Sequence, residues 1–258
     1  MNHPDAPARR LLLNCDMGES FGPWTMGMDE QVMPLVDMAN VACGFHASDP
    51  VTMTRTVALA KAAGTRIGAH PSYPDLAGFG RRSMQCSHDE IVALVQYQTG
   101  ALAGICQSRG MALSYVKPHG ALYNDMMRDP AVLRAVLAGV AGYDRTLPLM
   151  VLASADNRQV EEIAAEAGVT LMFEAFADRA YGSDGLLLPR SEPGAVYSNP
   201  ASILAQSLSL AHDGVVSARD GSLMKLMPDT LCVHGDNPAS VAVIQQIRTA
   251  LDQLYGES

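Results

Sequence analysis

Residues 67–82 read IGAHPSYPDLAGFGRR. A short apolar run enters on Ile67 and ends on His70. A loop rich in proline and glycine follows and closes on the pair Arg81 and Arg82. The stretch joins a titratable side chain, a restricted backbone and cationic donors. The same pattern, an apolar run followed at once by His, Asp, Glu or Lys, recurs along the chain. Arg10–Cys15 leads to Asp16 and Glu19, Met38–Gly44 to His46, and Ala112–Val116 to Lys117 and His119. Val169–Phe173 leads to Glu174, and Thr230–His234 to Gly235 and Asp236. With Thr65–Ala69 and Leu147–Leu152 these runs are read as core strands.

Helices fill the intervals. A short one is expected within Asp29–Asp37. Asp49 and Pro50 carry the cap-then-proline signal for a helix to about Ala63, closed by Gly64. Ser87 and Glu90 have capping-box spacing and open a long helix to about Arg109. Asp129 and Pro130 open another to about Ala141. Arg158–Ala167, Pro200–Ala211 and Pro238–Leu254 complete the set, and Val215–Met227 fits a small hairpin. Alternation of strands and helices is the rhythm of a parallel sheet. Seven such units predict an α/β fold, a closed seven-stranded (β/α) barrel, with a doubly wound open sheet as the alternative. Residues 1–9 are expected to be a flexible tail and 10–256 a single domain.

Composition narrows the function. The chain has 258 residues, 48% of them apolar and 17% charged, and a net charge of -9. That balance argues against a nucleic-acid partner, which needs clustered Lys and Arg, and leaves room for small anionic ligands in a local cationic pocket. The five cysteines include no CxxC pair, which suits a reducing compartment. No signal-peptide core and no run of 18 apolar residues is present, so a cytoplasmic protein off the membrane is expected. P-loop, GxGxxG and GxSxG motifs are absent from their required contexts.

In βα folds the reactive side chains gather at the C-terminal ends of the strands. Here those ends offer Asp16, His46, His70, His119, Glu174 and His234. Each histidine taken alone fits a hydrogen-bonded structural role equally well. Several at equivalent positions point to one site. A carboxylate with two or three imidazoles can hold a divalent metal or act as general acid and base without one. Lys117, held extended by Pro118, can face a ligand anion or snorkel to solvent. Arg81, Arg82, Arg179 and Arg190 can supply bidentate carboxylate or phosphate recognition. Asn14, Glu19 and Asp178 are polar candidates beside them. Cys15 alternates with Asn14 and Asp16 and faces the other side of its strand. Cys15, Cys43 and Cys232 are expected to be small packing residues.

Six blocks carry a resemblance: LNCDMGE (13–19), ANVACGFHASDP (39–50), the opening IGAHPSYPDLAGFGRR, VKPHGALYN (116–124), EAFADRAYGSDGLLLPR (174–190) and CVHGDNP (232–238). Together they resemble the LamB/YcsF family over almost the whole chain. One departure is Ser48, where the family usually has glycine. The resemblance implies an irregular seven-stranded barrel similar to the glycoside hydrolase/deacetylase group. In that wider group an Asp and two His bind a divalent metal, which maps loosely onto Asp16 with His46, His70 or His119. It further implies ATP-dependent opening of the 5-oxoproline ring to glutamate, carried out with 5-oxoprolinase subunits B and C. On this reading Lys117 and an arginine hold carboxylate or phosphate, Asp16 and the histidines manage water and protons, and Glu174 or Asp236 orients an imidazole. Which subunit binds ATP, and whether the chain self-associates, stay open. The alternatives are a stand-alone metal-dependent deacetylase or amidohydrolase and a non-catalytic lactam-binding subunit.

Overall fold

The computed structural model describes residues 10–235 and 237–256, so the expected tail at 1–9 and the candidate Asp236 lie outside the described residues. Seven strands form the closed parallel barrel that the strand–helix rhythm predicts. In chain order they are β1 (Leu12–Met17), β2 (Met38–Ala42), β3 (Arg66–His70), β4 (Leu113–Val116), β5 (Leu149–Leu152), β6 (Leu171–Phe176) and β9 (Thr230–Val233), and β9 closes the ring against both β6 and β1. The antiparallel pair β7 (Val215–Ser217) and β8 (Leu223–Lys225) forms the small hairpin expected there. The barrel is irregular. The β3–β4 register shifts between Ile67 and Gly68, and β4 meets β5 through the single pair Val116–Leu149.

The local signals explain most helices. In α2 (Pro50–Ala63) the Asp49 carboxylate accepts from the Val51 and Thr52 amides, and Gly64 ends the helix in the left-handed region. The Ser87–Glu90 capping box opens α3 (His88–Ser108). Asp129 caps α5 (Pro130–Asp144) through the Ala131 amide. α1 (Asp29–Val32) runs into a 3-10 turn, while α6 (Arg158–Ala167), α7 (Pro200–Asp213) and α8 (Pro238–Tyr255) fall close to their expected bounds. One helix was not expected: α4 (Gly120–Arg128) starts directly after His119 with no side-chain cap. Among the described residues no helix is long and apolar enough to cross a membrane.

Strand alternation sorts two cores. Leu13, Cys15 and Met17 point outward into the apolar layer beneath the helices. The other face fills the barrel. At its N-terminal end Leu12, Met38, Tyr115, Met150 and Met172 form a separate apolar plug. Gly68 makes room for it, because a Cβ there would stand 2.1 Å from the Tyr115 ring. Above the plug the filling turns polar. Tyr115 donates to Asn40 Oδ1 (2.6 Å), and Asn40 Nδ2 donates to Asn14 Oδ1 and Asp16 Oδ1 (both 2.8 Å).

Ser48 occupies a left-handed backbone position (φ 74°) and is fully buried just before the α2 cap. A Cβ in that region costs about 1–2 kcal/mol, offset in part by the greater freedom of an unfolded glycine. Ser48→Gly is therefore expected to stabilise the protein by roughly 0.5–1 kcal/mol. Equilibrium unfolding in urea would check this, and an unchanged or lower midpoint would refute it.

Candidate active site

The β3–β4 ladder continues beyond both strands and builds the centre of the site. The Lys117 amide donates to the Ala69 carbonyl and the His119 amide to the Pro71 carbonyl (both 2.8 Å). That register brings His70 and His119 side by side, with His70 Nε2 2.9 Å from His119 Nδ1. His46, on the turn after β2, stacks on His119 at 3.7 Å between ring centroids. Phe79 lies edge-on to both rings, with its own backbone in the left-handed region at φ 56°. Gly80 seats this loop over the stack. A Cβ on it would approach His46 Cβ to 2.8 Å and His119 Cδ2 to 2.9 Å, and its carbonyl accepts from the Ala121 amide of α4.

The tautomers follow from the partners. His70 Nδ1 must donate to the Lys117 carbonyl (2.7 Å) and His119 Nε2 to the Phe79 carbonyl (2.9 Å). Ser72 Oγ gives its own hydrogen to the Tyr73 carbonyl, so it accepts from His46 Nδ1 (3.0 Å). The remaining nitrogen of each ring turns toward Glu19, and one ligand atom from each of the four residues lies within 4.8 Å of all the others. Burial, then the neighbouring imidazoles, hold His46 and His119 well below the usual histidine range, and burial pushes the Glu19 carboxyl up. These donors fit a divalent cation, since each imidazole already gives its second nitrogen to an oxygen, as metal-bound histidines do. Sequence reasoning placed Asp16 in that set and Glu19 among substrate contacts. The structure exchanges them: the group that converges with all three imidazoles is Glu19.

Asp16 instead belongs to an ion network. Its Oδ1 meets Lys117 Nζ at 3.2 Å, and its Oδ2 stands 3.3 Å from His70 Nε2 and 4.0 Å from His234 Nε2. Burial alone would raise the Asp16 carboxyl, but His70, Lys117 and His234 hold it well below its ordinary range. Lys117 also pairs with Glu174 at 2.7 Å and contacts Asn14 Oδ1 and Cys232 Sγ at 3.2 and 3.3 Å. Burial would lower the ammonium, but Asp16, Cys232 and Glu174 outweigh it and keep it charged.

Three expectations need correction here. Lys117 is buried and does not snorkel. Glu174 lies inside β6, not at its end, because the strand continues through Ala175 and Phe176. It therefore neutralises Lys117 and orients no imidazole. Cys232 faces the barrel interior against the ammonium, whereas Cys15 and Cys43 pack as expected.

The imidazole oriented by a carboxylate is His234, and the carboxylate is Asp178. His234 Nδ1 donates to Asp178 Oδ2 at 2.8 Å. Burial would lower the imidazole, but Asp178 and Asp16 raise it above its ordinary value.

These groups floor a cavity of about 340 Å³ at the C-terminal mouth of the barrel. Asp16, Glu19, His70, Lys117, His119 and His234 line it below, and exposed Arg81, Arg128 and Arg190 line its opening. Arg128, at the end of the unexpected α4, was missed for that reason. Arg179 also lines the cavity but is buried and donates to the carbonyls of Ala195 and Leu188, which folds the 180–195 loop onto the mouth. Burial, then Arg190, lowers the Arg179 guanidinium to about 10. Arg82 turns away and pairs with Asp75. Asn14 stays below the cavity, between Thr230, Asn40 and Lys117.

Known proteins share this arrangement of sequence and fold. Residues 11–257 match the model of the LamB/YcsF family. The chain is 60% identical over 250 residues to 5-oxoprolinase A subunit 2 of Pseudomonas putida, covering 97% of each chain. It is 57% identical over 245 residues to the 5-oxoprolinase A subunit of Vibrio cholerae, covering 95% of this chain and 99% of the relative. These names mark both relatives as components of multi-subunit enzymes. The crystal structure of a lactam utilization protein from Thermus thermophilus superposes with a TM-score of 0.87 at 43% identity, over 95% of this chain and 97% of the other.

Proposed function

The chain belongs to the LamB/YcsF family, and from that premise we propose that it opens the lactam ring of 5-oxoproline to give glutamate, as the A subunit of an ATP-consuming 5-oxoprolinase that also contains subunits B and C. One observation carries the reading. A single cavity joins an arginine-lined mouth to a floor that pairs an ionised carboxylate with an imidazole held toward its protonated form.

The substrate is a small cyclic amide with one carboxylate, and the cavity lies within the size range of small-molecule sites. Arg81, Arg128 and Arg190 suit that carboxylate, or a phosphoryl group, through bidentate contacts. Asp16 is the base. With Oδ1 fixed by Asn40 and Lys117, its Oδ2 takes a proton from water as the water oxygen adds to the lactam carbonyl carbon. Lys117 offsets the negative charge that develops on the carbonyl oxygen. The ring C–N bond then breaks, and the departing nitrogen takes a proton from His234 Nε2 while Asp178 stabilises the ring through Nδ1. A five-membered lactam is unstrained and its amide stable. ATP therefore acts upstream, as the phosphoryl donor that turns the carbonyl oxygen into a leaving group. A divalent cation on Glu19, His46, His70 and His119, when bound, supplies Lewis-acid polarisation of a carbonyl beside this floor.

Glutamate release from 5-oxoproline, measured with the chain alone and with subunits B and C, with and without ATP, tests the proposal. Product is expected only when partners and ATP are both present. Hydrolysis of N-acetyl substrates by the chain alone, with no glutamate from any combination of folded components, would move the assignment to a stand-alone amidohydrolase. Glutamate formation by B and C without this chain would reduce it to a lactam-binding subunit.

A further inference from the structure

The barrel mouth contains more buried lone pairs than protein donors to meet them. His46 Nε2 and Glu19 Oε1 are buried 3.5 Å apart, and among the described residues neither has a hydrogen-bond partner. His70 Nε2 and His119 Nδ1 face each other at 2.9 Å although each ring donates its other N–H to a carbonyl. Glu19 Oε1 also stands 3.8 Å from His119 Nδ1. Buried acceptors left this way cost several kcal/mol unless a cation serves them. A second proton on His70 would reconcile the 2.9 Å contact alone. It would leave His46 Nε2 and Glu19 Oε1 facing each other unserved.

We propose that Glu19, His46, His70 and His119 form a binding site for one zinc-class dication, and that Asp16 lies outside its ligand set. The ligand chemistry supports the class. Three imidazole nitrogens and one carboxylate oxygen suit zinc and its neighbours, whereas magnesium and calcium prefer oxygen. The scaffold supports the set. Lys117 O, Phe79 O and Ser72 Oγ each accept the second N–H of one ring, which fixes all three tautomers with the lone pair inward. Asp16 is engaged elsewhere, since its Oδ1 accepts from both Asn40 and Lys117. The Lys117 ammonium thus tethers the one carboxylate that would otherwise compete with Glu19 for the ion.

The test reads metal on this chain alone and is independent of lactam hydrolysis. Chelator-treated full-length protein is incubated with Zn²⁺, desalted and assayed for bound metal, and Co²⁺ replaces Zn²⁺ in a parallel sample for visible absorption. Wild type and Asp16→Asn are each expected to retain about one ion per chain, with the intense visible bands of a four-coordinate cobalt centre. Glu19→Gln and His46→Ala, both confirmed folded by circular dichroism, are expected to retain at least tenfold less. Folded wild-type protein holding under about a tenth of an ion per chain overturns the site. Full retention by both ligand variants overturns it too. Equal losses in Asp16→Asn and Glu19→Gln overturn the ligand assignment.

Discussion

Lys117→Met is expected to destabilise the protein by about 3–5 kcal/mol and to stop ring opening, because it strands a buried carboxylate. Glu174 is wholly buried, and its charge is met by the Lys117 ammonium at 2.7 Å. Asp16 loses less, since Asn40, His70 and His234 remain beside it. Thermal denaturation should show a fall of roughly 6–20 °C for this chain length. Adding Glu174→Gln removes the stranded charge, so the double variant should recover most of the lost stability. It should not recover turnover, because the group that offsets charge on the carbonyl oxygen is still missing. A double variant as unstable as Lys117→Met would show that the pair is not the source of the effect. Normal turnover by either variant would remove Lys117 from the mechanism.

The pH–rate profile of the assembled enzyme should carry the second large effect. Asp16 must be ionised and His234 protonated for the proposed proton transfers. The His234 ring is held above its ordinary value, so activity is lost on the alkaline side as pH rises through that raised value. Asp178→Asn removes the main group that raises it, and the alkaline limb should move to lower pH with the maximum reduced. Asp16→Asn should cost about 10²–10⁴ in turnover at every pH, with the fold retained because Lys117 keeps Glu174. An alkaline limb unmoved in Asp178→Asn would exclude His234 as the acid. Turnover by Asp16→Asn within a few-fold of wild type would exclude Asp16 as the base.

Much of the architecture was legible because it is written in local signals. Asp49–Pro50, Ser87–Glu90 and Asp129–Pro130 each mark a helix start through a hydrogen bond that forms within a few residues. The opposition of Cys15 to Asn14 and Asp16 follows from the two-residue period of a strand. The misses have physical reasons too. α4 has no side-chain cap, and glycine at its first position reads as a turn. Glu174 looked like a strand end because a charge follows three apolar residues, yet β6 continues and buries it opposite a lysine from another strand. The exchange of Glu19 for Asp16 depends on where Lys117 and Asn40 point, and no spacing along the chain reports that. His234 was found at its strand end, but its partner Asp178 lies 56 residues away and was visible only as a polar loop residue.

The apolar plug of Leu12, Met38, Tyr115, Met150 and Met172 makes the barrel a dead-end room with one doorway. Whatever enters over the arginine-lined mouth must leave by the same route. If a partner protein hands an activated lactam across that threshold, glutamate cannot depart while the partner seals it. Docking and undocking would then be part of every catalytic cycle. The steady-state rate would be bounded by how long the two surfaces stay together, and a tighter complex would be a slower enzyme.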